Sequence, residues 1–260
     1  MGRTHSCRIA LRVGVVVLAF VGLTATPAAA QEFTPGSPGL GDPYFPLAGN
    51  GGYDVGHYAL DFSYDPSTRQ LDGTATISAT ATQDLSRFDL DLRGFDIESL
   101  SVSDTPATFT RDGQELVITP AAGLVAGTAF TVVVGYQGVP SVVTDPDGSI
   151  EGWVPTADGA FVVGEPQGSP AWYPANDNPR DKATYDFTIT VPADLTVMAN
   201  GVLDSRTTVG DQTTFVWRSI SPMAPYLATA TIGRFDLTET TLVGGLPSYV
   251  AVDPTLSKGN

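Results

Sequence analysis

The feature that most constrains the fold is a two-residue alternation of side-chain character that recurs from Tyr53 to Val252. His57 to Tyr64 alternates in this way, and Asp65-Pro66-Ser67 then predicts a turn. Thr74 to Thr80 resumes the alternation as a second strand, rich in β-branched threonine. No stretch keeps a helical period for as long as three turns. The chain is therefore predicted to consist almost entirely of strands.

The remaining segments with strand character are short, and Pro and Gly separate them. They are Phe88 to Leu92, Ile97 to Val102, Thr108 to Thr110, Leu116 to Thr119, Phe130 to Tyr136, Ala160 to Val163, Tyr185 to Val191, Thr196 to Ala199, Thr214 to Trp217, Leu227 to Ile232 and Ser248 to Val252. Asp112-Gly113 fits a tight hairpin turn, because glycine tolerates the positive φ that such turns require. Phe130 to Tyr136 is the most apolar segment, so we expect it to be a central strand. This spacing predicts an all-β fold, an antiparallel sandwich or a set of curved antiparallel sheets.

The first thirty residues have the three parts of a secretory signal. Arg3, Arg8 and Arg12 form a basic start, residues 13–23 are an apolar run, and Ala28-Ala29-Ala30 supplies small residues for cleavage. An apolar run of about 11 residues is too short for a membrane anchor. We therefore expect a signal peptide over residues 1–30, cleavage after Ala30 and a secreted protein. Residues 31–52 are rich in Pro and Gly and predict a linker, residues 53–252 the β-domain, and residues 253–260 a truncated tail.

Charge and cysteine content argue against two classes of function, nucleic-acid binding and thiol chemistry. The 13 basic and 28 acidic residues give a net charge of −15, and three of the basic residues lie in the predicted signal. The mature chain would then carry 10 minus 28, or −18. An acidic surface repels phosphate backbones, so nucleic-acid binding is not expected. Cys7, the single cysteine, also lies in the signal, so the mature chain is expected to have neither a disulfide nor thiol chemistry.

The residues that metal and catalytic sites need are scarce. His57 is the single histidine after residue 30, whereas a catalytic zinc normally takes three protein ligands. The sequence has no His-Glu-x-x-His motif and no nucleophile elbow. His57 is therefore interpreted as a structural or surface residue. Residues 145–149 contain Asp-Pro and Asp-Gly pairs and lack the spacing of a calcium loop, which predicts an ordinary turn. No catalytic and no metal-binding residue is predicted in this chain.

Residues 164–187, here called the signature segment, carry a more specific pattern. Gly164-Glu165-Pro166 is followed by Trp172-Tyr173-Pro174-Ala175-Asn176-Asp177-Asn178-Pro179 and then by Lys182-Ala183-Thr184-Tyr185-Asp186-Phe187. In this order, the motifs resemble the N-terminal, saddle-like β-domain of the M1 family of zinc aminopeptidases. Ala199-Asn200-Gly201 and Ser221 to Leu227 are similar to later parts of that domain. The usual Asp-Glu-Pro of the family is here Asp177-Asn178-Pro179.

The resemblance implies one site residue. In M1 enzymes, the acid or amide at the Glu-Pro position contacts the free α-amine of the substrate, and Glu165 occupies that position. Asp177 and Lys182 are interpreted as turn and strand-entry residues. Zinc is expected in the complete family enzyme, bound by a catalytic domain downstream that would act on peptides. Because this chain lacks the zinc motif, we expect it to be inactive alone and to bind no cofactor itself.

A second hypothesis follows from the fold alone. A secreted β-sandwich binding module without any enzymatic role would show the same strand pattern, because sandwiches host many unrelated functions. The order of the motifs in the signature segment favours the aminopeptidase hypothesis. Membrane binding is expected under neither hypothesis.

Overall fold

The alternating segments form nineteen strands in a computed structural model that describes residues 1–3, 31–145 and 147–256. The strands are β1 (Thr34–Pro35), β2 (Tyr53–Asp65), β3 (Gln70–Ala81), β4 (Leu85–Asp91), β5 (Asp96–Val102), β6 (Thr105–Pro106), β7 (Thr108–Asp112), β8 (Glu115–Thr119), β9 (Ala129–Gly138), β10 (Val142–Thr144), β11 (Ile150–Pro155), β12 (Ala160–Val163), β13 (Ala183–Pro192), β14 (Thr196–Ala199), β15 (Val202–Val209), β16 (Gln212–Met223), β17 (Ala230–Gly233), β18 (Asp236–Thr241) and β19 (Pro247–Val252). Within these described ranges, the helical segments are two single-turn 3₁₀-helices, Ser169–Ala171 and Pro225–Leu227. None of the helices in the described ranges has the length and apolarity that a membrane crossing requires.

The largest sheet has eight strands in the order β15-β16-β13-β2-β3-β9-β5-β6. Its long strands alternate between buried and more exposed residues, with one shift in β2 at the bulge between Val55 and His57, so one face of the sheet forms the wall of the core. Tyr58, Leu60 and Phe62 on β2 are each at most 2% exposed, and Phe187 and Ile189 continue this face on β13. The sequence alternation thus reports directly which side of each strand is buried.

Two smaller sheets and a hairpin complete the unit that begins at Glu32. One sheet has the order β1-β4-β8-β7 and the other the order β10-β11-β12-β17-β14, while β18 pairs only with β19. Buried side chains from both smaller sheets belong to the same hydrophobic core as the large sheet, for example Phe88, Ile118, Trp153 and Ile232. The core is therefore shared between packed sheets.

The all-β prediction is confirmed, with two corrections in detail. Strands β2 and β13 pair in parallel, Thr184 lying opposite His57, because more than a hundred residues separate them and permit a long connection. Leu227 was predicted to begin a strand, but it ends the 3₁₀-helix Pro225–Leu227, and β17 begins at Ala230. The predicted Asp112-Gly113 turn is confirmed: Gly113 has φ +61° in a two-residue hairpin loop that joins β7 to β8.

Residues 32–52, for which the sequence predicts a linker, lie on the domain and are here called the N-terminal strap. Thr34 donates its amide hydrogen to Asp84 O at 2.8 Å, and Gly36 donates to Arg87 O at 2.9 Å. Further along, Ala48 and Asn50 are buried. The signal peptide is predicted for residues 1–30, of which the structure describes only residues 1–3, so the predicted cleavage site lies outside the described residues. Residues 257–260 of the predicted tail lie outside them as well.

Candidate functional site

The signature segment begins in a tight turn that follows β12. A Cβ atom added to Gly164 would lie 2.0 Å from the carbonyl oxygen of Tyr226, so only glycine fits there. The Gly168 amide donates to the Gly164 carbonyl at 2.8 Å and closes the turn over residues 165–167, within which the Glu165-Pro166 peptide bond is cis. The turn therefore starts in direct contact with the 3₁₀-helix Pro225–Leu227.

Glu165 is exposed on this turn, whereas the carboxyl group that anchors the turn is buried. Glu151, on β11, is 0% exposed, and its Oε2 accepts the Gln167 amide hydrogen at 2.8 Å. Burial raises the pKa of Glu151, and the hydrogen bond from Gln167 opposes part of that rise. The exposed carboxyl group of Glu165 thus stands on a backbone that a buried acid holds in place.

Two other family-like motifs meet beside this turn. Asn200 donates from Nδ2 to Leu227 O at 2.9 Å and accepts the Thr229 amide hydrogen on Oδ1 at 2.7 Å. Gly201 has φ +94°, and a Cβ there would lie 2.0 Å from Arg218 O, so the turn that presents Asn200 requires glycine. The fold therefore brings Gly164, Asn200 and residues 225–227 together from three separate parts of the sequence.

The aromatic residues of the signature segment fix it in the core. Trp172 is 0% exposed and contacts the rings of Phe62, Trp153 and Phe187 at centroid distances of 6.0, 5.9 and 6.4 Å. Tyr173, also 0% exposed, contacts the neighbouring Trp172 ring at 4.5 Å. These buried rings hold the chain directly after the turn, so the turn has little freedom to move relative to the sheets.

Side-chain hydrogen bonds hold the second half of the segment. Asp91 Oδ2 accepts the Asp177 amide hydrogen at 2.9 Å, and the Tyr58 hydroxyl oxygen accepts the Asn176 amide hydrogen at 2.9 Å. Asp181 Oδ1 accepts the Val55 amide hydrogen at 2.9 Å, and its Oδ2 accepts from Asn176 Nδ2. These bonds satisfy backbone groups that no sheet pairs, which allows irregular chain to be buried.

The residues singled out from the sequence lie in different places. Asp177 is buried, with 3% exposure, and Lys182 is exposed immediately before β13. His57 lies on β2, where its Nδ1 is 2.8 Å from Thr184 Oγ1. The described residues contain no group of three or more His, Cys, Asp or Glu residues that could hold a metal ion. The chemistry that the turn offers is one exposed carboxyl group, Glu165, which can accept hydrogen bonds from a cation.

Sequence reasoning missed the residues that position this turn and the chain after it. Asp91, Glu151 and Asp181 belong to no motif, and their partners are distant in sequence: Asp91 and Asp177, for example, are 86 residues apart. The sequence does carry a weak signal for Asp91. Asp89 and Asp91 alternate with apolar residues in a short strand, which places the two acids on the opposite face of that strand. That pattern predicts an exposed face, however, and here the N-terminal strap covers it.

Comparison with known proteins agrees with this arrangement. The Peptidase M1 N-terminal domain family matches residues 55–227. Among solved structures, a two-domain M1 zinc metallopeptidase mutant bound to L-arginine is similar at 27% identity and TM-score 0.75, over 81% of this chain and 50% of that chain. The M1 zinc metallopeptidase from Deinococcus radiodurans matches at 26% identity and TM-score 0.75, over 81% and 49%. A mutant of the Deinococcus radiodurans enzyme bound to a Tyr-Ser-Ala substrate matches at 26% identity and TM-score 0.74, over 81% and 50%.

This chain spans about half the length of these metallopeptidases. The family match covers well over half of its 260 residues and includes the turn, the aromatic residues and the buried hydrogen bonds described above. The chain therefore belongs to the Peptidase M1 N-terminal domain family.

Proposed function

We propose that this domain supplies the amine-recognising carboxylate of an exported M1 aminopeptidase, with Glu165 as the residue that contacts the free α-amine of a peptide. The observation that carries the proposal is the exposed Glu165 on a turn whose backbone is fixed from two sides. Glu151 holds Gln167 on one side, and the Tyr226 backbone packs against Gly164 on the other. A backbone held in this way presents the exposed carboxylate from a fixed position, where it can accept a charge-assisted hydrogen bond from an ammonium group.

The similar structures support the substrate class. One of them is a metallopeptidase bound to L-arginine, and another is bound to a Tyr-Ser-Ala substrate, so each ligand brings a free α-amino group. Peptides with a free N-terminus are the corresponding substrates proposed here. The basic, apolar and small-residue order of residues 1–30 supports export of the protein.

Bond cleavage is assigned to a separate catalytic domain. The zinc of the family does not fit this domain, because its described residues offer no set of ligands. The part proposed for this chain is to bind and orient the substrate N-terminus, through the Glu165 carboxylate. Orientation of this kind lowers the barrier by holding the scissile bond in a reactive geometry.

The test is a pair of substitutions in a protein that joins this domain to an M1 catalytic domain. A carboxylate and an ammonium about 4 Å apart attract by on the order of 4 kcal/mol at an effective dielectric near 20, before desolvation. We expect Glu165→Ala to lower kcat/KM for a peptide with a free N-terminus by roughly 30- to 150-fold, or about 2–3 kcal/mol. Glu165→Gln keeps an acceptor but loses the charge, so its loss should be smaller.

The controls separate recognition from folding. Glu98 is another exposed acid, on β5, and Glu98→Ala should leave kcat/KM unchanged. The same peptides with acetylated N-termini show whether the effect depends on the amine. If Glu165→Ala and wild type prefer the free amine over the acetylated one equally, Glu165 does not recognise the amine and the proposed function is wrong.

A further inference from the structure

Beneath the N-terminal strap lies a group of carboxyl groups that the proposed function does not use. We call it the buried acidic seam. Its members share strong burial, at most 3% exposure, and they are Asp89, Asp91, Glu115 and Asp177. They come from β4, from β8 and from the signature segment, so three elements contribute to one interior cluster.

The N-terminal strap closes over the seam. Gly49 donates its amide hydrogen to Asp91 Oδ2 at 3.1 Å, the same oxygen that accepts from the Asp177 amide. Gln114 donates from Nε2 to both Leu47 O, at 2.8 Å, and Asp91 Oδ1, at 3.1 Å. A single carboxyl group thus joins the strap, the signature segment and the β7–β8 loop.

The rest of the seam has few polar contacts. Both carboxyl oxygens of Glu115 and both polar atoms of the Asn50 amide are buried without a hydrogen-bond partner among the described residues, and so are Asp89 Oδ1 and Asp177 Oδ2. No ion pair within 4.0 Å between described residues includes a seam carboxyl group. The nearby side chains of Gln114 and Asn50 oppose part of the pKa rise at Glu115, and Ser169 opposes part of it at Asp177, but burial outweighs them. A buried carboxylate without a counter-ion is disfavoured, so these groups favour the protonated form.

The charged and titratable groups around the seam do not neutralise it. Arg93 directs Nε and Nη2 at Gln114 Oε1, at 3.2 and 2.9 Å, and its attraction opposes only part of the rise in pKa at Asp91 and Asp177. The other titratable neighbours are Tyr53, Arg87, Asp112 and Glu151. Asp112 raises the pKa of Asp89 and Glu151 raises that of Asp177, which makes ionisation of the seam less favourable still.

Burial is the main cause of the resulting shifts. It raises the pKa of Glu115 to about 8, with further repulsion from Asp91 and Asp89. It raises the pKa of Asp91 to about 7 against its three hydrogen bonds, and it raises the pKa of Asp177 as well. Opening the strap would hydrate these carboxyl groups and return each pKa towards its ordinary value near 4.

We propose that the buried acidic seam is a proton-dependent clamp, which holds the N-terminal strap closed over the signature segment while it is protonated and releases the strap as rising pH ionises it. The direction follows from linkage. The closed state binds more protons than the open state, because its carboxyl pKa values are higher. The stabilising contribution is complete below about pH 4, the ordinary range, and is lost as the pH rises through about 7 to 8.

The first test measures the strap directly in the whole chain. Hydrogen exchange, corrected for the intrinsic pH dependence, is followed in peptides that cover residues 44–52 at pH 5.5 and pH 8. We expect protection there to fall at least tenfold at the higher pH, while β3 in the central sheet stays protected. Thermal unfolding should show a midpoint roughly 5–15 °C lower at pH 8 than at pH 5.5.

Matched variants assign the effect to the seam. Glu115→Gln removes a titrating group while keeping the shape of the side chain, and it should reduce the pH dependence of strap protection by at least half. Glu98→Gln removes the same charge from an exposed position and should leave the pH dependence as in wild type. Equal pH dependence in the two variants would overturn the proposal.

Two measurements on the wild type keep the proposal testable if Glu115→Gln does not fold. Unfolding followed calorimetrically near pH 6.5, in buffers of different ionisation enthalpy, should release about one to two protons. If no protons are released, the seam is already ionised and the clamp is not operated by protons. Added calcium ions should not raise the midpoint at pH 8, and a large rise would show that the seam holds a cation in place of protons.

Discussion

The signature segment and the C-terminal hairpin β18–β19 show opposite relations between regular structure and burial. Residues 164–182 contain only the single-turn helix Ser169–Ala171, yet Trp172, Tyr173 and Asp177 within them are at most 3% exposed. The hairpin pairs six residues of β18 with six of β19 in regular register, but most of its side chains are exposed. The presence of regular secondary structure therefore does not indicate whether the signature segment or the hairpin is held more firmly.

The difference lies in what satisfies the backbone. In the hairpin, the strands bond to each other, and Tyr249 contacts the large sheet through the Trp217 ring and the Leu203 amide. In the signature segment, the side chains of Asp91 and Tyr58 accept the amide hydrogens of Asp177 and Asn176, and Asp181 of the segment accepts the Val55 amide hydrogen from β2. An irregular segment can thus be held in place when distant side chains bind its backbone.

The largest expected effect comes from removing an aromatic ring from the signature segment. Trp172→Ala should lower the free energy of unfolding by about 3–5 kcal/mol, because it deletes a fully buried side chain and leaves a cavity. The matched change in the hairpin loop, Val243→Ala, concerns a fully exposed side chain and should stay within about 0.5 kcal/mol. Urea unfolding of both variants measures the contrast, and similar losses would show that burial does not separate the two regions.

A smaller effect is expected from the polar contacts of the segment. Asp181→Ala removes the acceptor for the Val55 amide and for Asn176 Nδ2 and leaves both donors buried, which should cost about 2–4 kcal/mol. Asp236→Ala, at an exposed position of β18, is the control and should change stability by less than about 0.5 kcal/mol. Chemical denaturation at pH 8 is the appropriate measurement, because burial raises the pKa of Asp181 to about 7. An Asp181→Ala variant as stable as the control would mean that these hydrogen bonds contribute little.

Alternating sequence patterns predicted half-buried strands better than exposed ones. Period-two alternation located most of the long strands, and β12 and β14 have the predicted bounds, because alternation records burial directly. It missed β15 and β18, whose residues are almost all exposed. It also missed β10 and β11, and in β11 three successive buried residues break the alternation. A strand that is held by backbone hydrogen bonds to its neighbours and buries few side chains shows little alternation in its sequence.

The candidate site was predictable in part. The motif order singled out Glu165 as a candidate, which stays a prediction, but it gave no indication of Glu151 or Asp91, because their contacts depend on where distant strands come to lie. The N-terminal strap shows the same limit. Its Pro and Gly content predicted a linker settling onto the domain, but gave no indication that Gly49 is needed for close packing: a Cβ there would lie 2.5 Å from Asn178 Cβ. Composition alone does not distinguish a glycine in a loose chain from one in a tight contact.

The smallest effect on global stability is expected where the hairpin meets the large sheet. The Tyr249 ring lies 4.9 Å from the Trp217 ring, and its hydroxyl oxygen accepts the Leu203 amide hydrogen at 3.2 Å. Tyr249→Ala removes both contacts, each of which contributes on the order of 1 kcal/mol. The hairpin should then exchange its amide hydrogens faster across residues 236–252, while the signature segment keeps its protection and the midpoint temperature falls by only a few degrees.

Val250→Ala is the matched control, because Val250 is the next residue on β19 and is 52% exposed. It should change neither the exchange of the hairpin nor the midpoint. If Tyr249→Ala instead destabilised the whole domain as much as Asp181→Ala, the hairpin would be part of the cooperative core and the contrast between the two regions would fail. If exchange rose only in the hairpin, the hairpin would be an independently opening unit, because the hydrogen bonds of the large sheet remain intact without the Tyr249 contacts.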